Sequence, residues 1–115
     1  MNALLLLFFL FAQNPASPPA PAPRGNAENG KALFTKIGCY ECHGLAAQGA
    51  AATGPRLAPN PVAYARFLSY IRKPTGEMPP YTAKVVTDQQ AADIYAFLQS
   101  VPRPPAVQDI PLLRQ

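Results

Sequence analysis

Gly38-Cys39-Tyr40-Glu41-Cys42-His43-Gly44 governs the reading of this 115-residue chain. Cys39 and Cys42 are its only cysteines and His43 is its only histidine. Two cysteines exclude a scaffold held by several disulfides, and a structural zinc site needs four ligands, for which no second Cys or His pair exists. The histidine belongs to this run, so no Ser-His-Asp arrangement can be assembled elsewhere. No paired carboxylates stand out, and Asp88 and Asp93 fall in a helical pattern where solvation is expected. Hydrolytic chemistry is thereby excluded. The formal charge is +4, but the 10 Lys and Arg residues are scattered, with no basic run and no glycine-rich phosphate loop. That pattern argues against nucleic-acid binding.

Working outward, Asn26–Ile37 reads as a helix, with Gly25 or Asn26 as its cap, Glu28 in the first turn and Lys36 in the last. Ala27, Leu33, Phe34 and Ile37 share one face, and Gly38 stops it. Gly30 costs about 1 kcal/mol inside a helix, so a close helix crossing is expected there. Residues 44–61 are rich in Gly, Ala and Pro and read as loop. Val62–Arg72 is expected to form a short helix with Val62, Phe67, Leu68 and Ile71 facing inward, ended by Pro74. Gly76–Tyr81 (GEMPPY) must be irregular, because two prolines follow Met78. Thr87–Val101 is the strongest helix: Thr87 or Asp88 caps it, Ala91, Ile94, Phe97, Leu98 and Val101 form its stripe, and Pro102 closes it. No strand signal has any strength.

The ends differ in composition from the middle. Ala3–Ala12 is an apolar run too short to span a bilayer, which takes ~20 residues, but long enough for a secretory leader. Residues 1–12 are therefore expected to be a signal peptide, or a membrane anchor if retained, although no Lys or Arg precedes the run. Its end is placed between Ala12 and about residue 22. Residues 13–25 read as a Pro/Ala-rich linker of polyproline type, the compact domain as 26–101, and 102–115 as a Pro-rich tail. A domain this small buries too little apolar surface to stand comfortably alone.

The central run supplies what is missing. Cys39 and Cys42 lie three positions apart, so on one helical turn both thiols can reach the vinyl groups of a haem and form thioethers, with His43 beneath the iron as proximal ligand. A thioredoxin-like dithiol would need a preceding strand, and an isolated disulfide is the remaining alternative. Met78, the only methionine besides Met1, lies 35 residues after His43 in a proline-stiffened loop. A methionine filling a core gap would more naturally sit on a helix stripe. As a sixth ligand, its thioether would raise the reduction potential.

With these residues in view, the chain resembles the class I c-type cytochromes of the small bacterial monohaem type. GNAENGKALFTKIGCYECHG, GPRL, GEMPPY and DIYAFLQSV carry the resemblance, in order, over roughly Gly25–Val101. It implies an all-α cytochrome c fold of three to four helices and long loops around one covalent haem c, attached at Cys39 and Cys42 and ligated by His43 and Met78. It further implies that the Pro55 carbonyl accepts a hydrogen bond from the proximal imidazole, and that Gly30 and Phe34 cross Ile94 and Phe97. Phe97 stands where the family usually has tyrosine. Arg56, Tyr64 and Tyr70 are candidate partners of the haem propionates, and Lys36, Lys73 and Lys84 are candidates for steering an acidic partner. The expected function is electron transfer without catalysis, between a donor dehydrogenase and an acceptor oxidase or reductase, by a monomer in the periplasm or at the outer face of the inner membrane. Permanent attachment to a dehydrogenase, with the tail as a docking strap, is the alternative; a haem sensor or peroxidase with a displaceable sixth ligand is another.

Overall fold

A computed structural model describes residues 21–114. The expected leader and most of the linker lie outside the described residues. Four α-helices follow one another: α1 (Ala27–Lys36), α2 (Cys39–His43), α3 (Tyr64–Arg72) and α4 (Asp88–Ser100). Among the described residues there is no named strand, only one isolated antiparallel bridge between Ala50 and Gly54.

The fold is organised by the crossing of α1 over α4. Gly30 makes it possible: a Cβ there would sit 1.9 Å from the Asp93 carbonyl oxygen, so only a residue without one allows the two backbones to meet. One turn further along α1, Phe34 meets Phe97 with ring centroids 5.3 Å apart in a tilted pair. Phe34 and Leu98 are each 1% exposed, and burial of such side chains contributes roughly 1.5–3 kcal/mol apiece. Asn26 caps α1, its side chain accepting from the Asn29 N–H at 2.8 Å. Thr87 caps α4 in a reciprocal box: Gln90 N–H donates to Thr87 Oγ1 at 3.2 Å, and Thr87 N–H donates to Gln90 Oε1 at 2.9 Å.

Three expectations are corrected. Asp93 is buried at 6% exposure, not solvated. Its carboxylate accepts from Asn26 N–H at 2.8 Å, Asn29 Nδ2 at 2.7 Å and Gln89 Nε2 at 3.1 Å, tying the start of α1 to α4. Val62 is exposed; α3 begins two residues later, and Tyr64 takes the inward place, edge-on to Tyr95 at 5.3 Å. The end of the expected linker is laid on α4: Gln89 Nε2 donates to the Arg24 carbonyl at 2.9 Å, and a Cβ on Gly25 would lie 2.1 Å from the Ala92 carbonyl oxygen. In the tail, Val107–Asp109 and Pro111–Leu113 form two 3-10 turns with Val107, Leu112 and Leu113 exposed.

Candidate functional site

Two left-handed glycines define α2. Gly38 (φ 88°) turns the chain out of α1, and Gly44 (φ 79°) turns it away after His43. On this single turn Cys39 is half-buried, Cys42 exposed and His43 buried. The following loop then folds back on the helix it has left. Gly49 N–H donates to the His43 carbonyl at 2.7 Å, Thr53 Oγ1 donates to the Cys42 carbonyl at 2.8 Å, and the Ala47 carbonyl receives the N–H groups of Leu57 and Ala58 at 2.9 and 3.1 Å. Those bonds deliver the Pro55 carbonyl oxygen to 2.8 Å from His43 Nδ1. A carbonyl can only accept, so Nδ1 is the donor of this bond and Nε2 is the ring nitrogen left for another partner. Gly54 presses on the same ring: a Cβ there would meet Nδ1 at 3.0 Å and the Cys42 carbonyl oxygen at 2.9 Å.

His43 enters an apolar cavity into which every helix contributes. Phe34 and Ile37 come from α1 and its end, Cys39 and His43 from α2, Leu57 from the loop, Phe67 and Ile71 from α3, and Ile94 and Leu98 from α4. Met78, Tyr81 and Val86 close the remaining wall from the segment between α3 and α4. Burial pushes the Cys39 thiol above its usual range, and hydrogen bonds from its own backbone and from Tyr81 offset this only in part. Burial likewise pushes the Tyr81 phenol up, reinforced by Cys39 beside it. The buried His43 imidazole, the Cys39 thiol and the Met78 thioether in one apolar cavity, with the exposed Cys42 thiol on the same helical turn, form a donor set suited to a covalently held haem.

The sequence-derived residues are not all here. Tyr64 is buried away from the cavity, in a separate cleft with Pro21, Ala22, Tyr95 and Gln99, and its hydroxyl donates to the Asp88 carbonyl at 3.2 Å. Burial, then the nearby Asp88 charge, raises its pKa. Tyr70 is exposed, with its hydroxyl 2.9 Å from Thr75 Oγ1. Neither tyrosine lines the cavity: Tyr64 shares the inward face of α3 with Phe67 and Ile71 but packs at its N-terminal end against Tyr95, and Tyr70 is exposed. Arg56 is exposed next to Pro55, and Lys36, Lys73 and Lys84 are exposed. Tyr81 and Arg72 escaped the sequence reading. The available signal for Tyr81 was its place three residues after Met78; for Arg72, one cation among ten, there was none.

Four helices around an apolar cavity that opens on a C-x-x-C-H turn make this an all-α c-type cytochrome, with the cytochrome c fold. The sequence model of the family described as cytochrome c oxidase, cbb3-type, subunit III matches residues 25–98, well over half of the chain, and the chain belongs to that family. No curated protein and no solved structure matches it. The protein is accordingly a haem-based electron carrier rather than an enzyme, holds haem c covalently and works with redox partner proteins. Cytochrome c domains are typically extracytoplasmic. Among the described residues, no helix is long and apolar enough to cross a membrane.

Proposed function

We propose that this chain binds a single haem c through thioethers at Cys39 and Cys42, with His43 and Met78 as axial ligands, and passes electrons between redox proteins in the periplasm or at the outer face of the inner membrane. The observation that carries the proposal is the convergence of Cys39, His43 and Met78 on one apolar cavity. The bound haem supplies one-electron ferric/ferrous chemistry. His43 presents Nε2, because Pro55 holds the proton on Nδ1 at 2.8 Å; that bond fixes the ring and raises its basicity. Met78 supplies a neutral thioether, which favours the ferrous state and fills the position that an exogenous ligand would need. Phe34, Phe67, Ile94 and Leu98 exclude water from the cavity, which keeps solvent reorganisation small. Arg56 supplies a cation for a propionate, and the exposed Lys36, Lys73 and Lys84 attract an acidic partner.

Met78→Ala tests this reading. The variant is expected to have a lower potential and to bind CO rapidly when reduced. An unchanged potential and a wild-type resistance to CO would remove Met78 from the iron.

The family's description favours a second reading, in which the chain is a fixed subunit of an oxidase. Purification of the native protein separates the two: a free carrier elutes alone, whereas a subunit elutes with its complex.

A further inference from the structure

Arg72, the last residue of α3, makes three short contacts with the chain beyond Met78. One terminal nitrogen, Nη1, donates to the carbonyls of Tyr81 and Val86, each at 2.7 Å, and Nη2 donates to Asp88 Oδ1 at 2.6 Å. Next to it, the Ile71 carbonyl accepts from the Tyr81 N–H at 2.8 Å. Residues 73–80 therefore form a loop closed at its base by the end of α3 on one side and Tyr81 on the other.

The two arms of that loop differ in stiffness. Between Met78 and Tyr81 stand only Pro79 and Pro80, whose rings fix φ and pass the position of Tyr81 directly to Met78. On the other arm, the Thr75–Tyr70 hydroxyl contact at 2.9 Å lies on the surface, and Gly76 has φ 69° with open space where its Cβ would point. The stiff arm decides where Met78 sits, and it is anchored through Tyr81 to Ile71 and Arg72.

We infer that Arg72 is a positioning residue that holds the Met78 thioether at the iron by clamping the Tyr81 and Val86 carbonyls. The inference rests on the proposed His43/Met78 ligation. Charge-assisted bonds to part-buried carbonyls are strong, while the Asp88 carboxylate is 70% exposed and its ion pair contributes little. Lysine would keep the charge and lose the clamp, because its ammonium ends one bond nearer Cα and does not reach the position from which Nη1 meets both carbonyls at 2.7 Å.

The experiment uses the haem-loaded protein and the variants Arg72→Lys and Asp88→Asn. It follows the weak far-red sulfur-to-ferric-iron band during heating, alongside far-UV circular dichroism, and the CO association rate of the reduced protein. In Arg72→Lys the far-red band is expected to fade well below the temperature at which the helices melt, with CO binding about tenfold faster than wild type. In Asp88→Asn both readouts are expected to stay near wild type. An Arg72→Lys protein that binds CO at the wild-type rate and keeps the band until global melting would overturn the inference, as would Asp88→Asn matching the effect of Arg72→Lys. A wild-type protein that lacks the band and binds CO rapidly would instead overturn the ligation reading, and the clamp with it. If Arg72→Lys does not fold, wild-type protein in urea below global unfolding gives the answer. Loss of the band together with hydrogen-exchange protection of the Tyr81 amide is expected; loss of the band with that amide still protected would contradict the clamp.

Discussion

The Gly30 Cα and the Asp93 carbonyl face each other so closely that a methyl group on Gly30 would lie 1.9 Å from the oxygen and 2.4 Å from its carbon. Both obstacles are backbone atoms of α4, so neither can swing aside as a side chain would. Gly30→Ala is therefore expected to force α1 off α4 and destabilise the haem-loaded protein by about 3 kcal/mol or more, despite alanine's higher helix propensity. Gly76 gives the contrast. With nothing near its Cβ position, Gly76→Ala bears only the left-handed φ of 69°, about 1 kcal/mol. Denaturant unfolding of the two variants measures both, and equal losses would refute the close-crossing account.

Asp93 makes this crossing pH-dependent. Burial alone would raise its pKa, but the hydrogen bonds from Asn26, Asn29 and Gln89 outweigh burial and hold the carboxyl below its ordinary value. A carboxyl depressed by folding stabilises the protein at pH values above its unfolded pKa of about 3.9, and that stability is lost as the pH falls through the folded value. Asp93→Asn cannot accept all three bonds and is expected to lose about 1.5–3 kcal/mol at pH 7. Its acid limb should also be flatter than that of wild type. Unfolding free energies from pH 7 to pH 2 test this; parallel limbs would mean that Asp93 is not the titrating clasp.

The Pro55 carbonyl cannot be mutated, but the glycine before it can. A Cβ on Gly54 would meet His43 Nδ1 at 3.0 Å and must loosen the 2.8 Å contact between Nδ1 and Pro55. A weaker bond makes the imidazole a poorer donor and disfavours ferric iron, so Gly54→Ala is expected to raise the reduction potential. A loss of about 1 kcal/mol of preference for the ferric state corresponds to roughly 40 mV in a one-electron couple. Redox titration of the variant reads the shift, and a fall in potential would contradict the role given to the Pro55 carbonyl.

What the sequence revealed and what it hid divide along physical lines. The C-x-x-C-H turn, the proline-flanked Met78 and the stripe of α4 were legible because each depends on local spacing. Gly30 was legible because a glycine inside a helix is costly and needs a reason. Asp93 was not, since an aspartate in a helical pattern looks the same whether its partners are water or the N–H of Asn26, which is 67 residues away. Tyr64, Tyr70 and Tyr81 share one side-chain chemistry, and only the tertiary fold separates the one that lines the cavity from the two that do not. Gly25 and Arg24 were assigned to the linker on composition, yet a proline-rich approach does not prevent the residues after it from docking on α4.

The most direct test of the central claim is the optical spectrum of the protein matured with haem-attachment machinery, recorded oxidised and then reduced with dithionite. The account predicts covalent haem in a low-spin spectrum whose ferric form shows the weak far-red band of a sulfur ligand, from His43 and Met78 together. A high-spin ferric spectrum without that band, or haem that is not covalently retained, would contradict it.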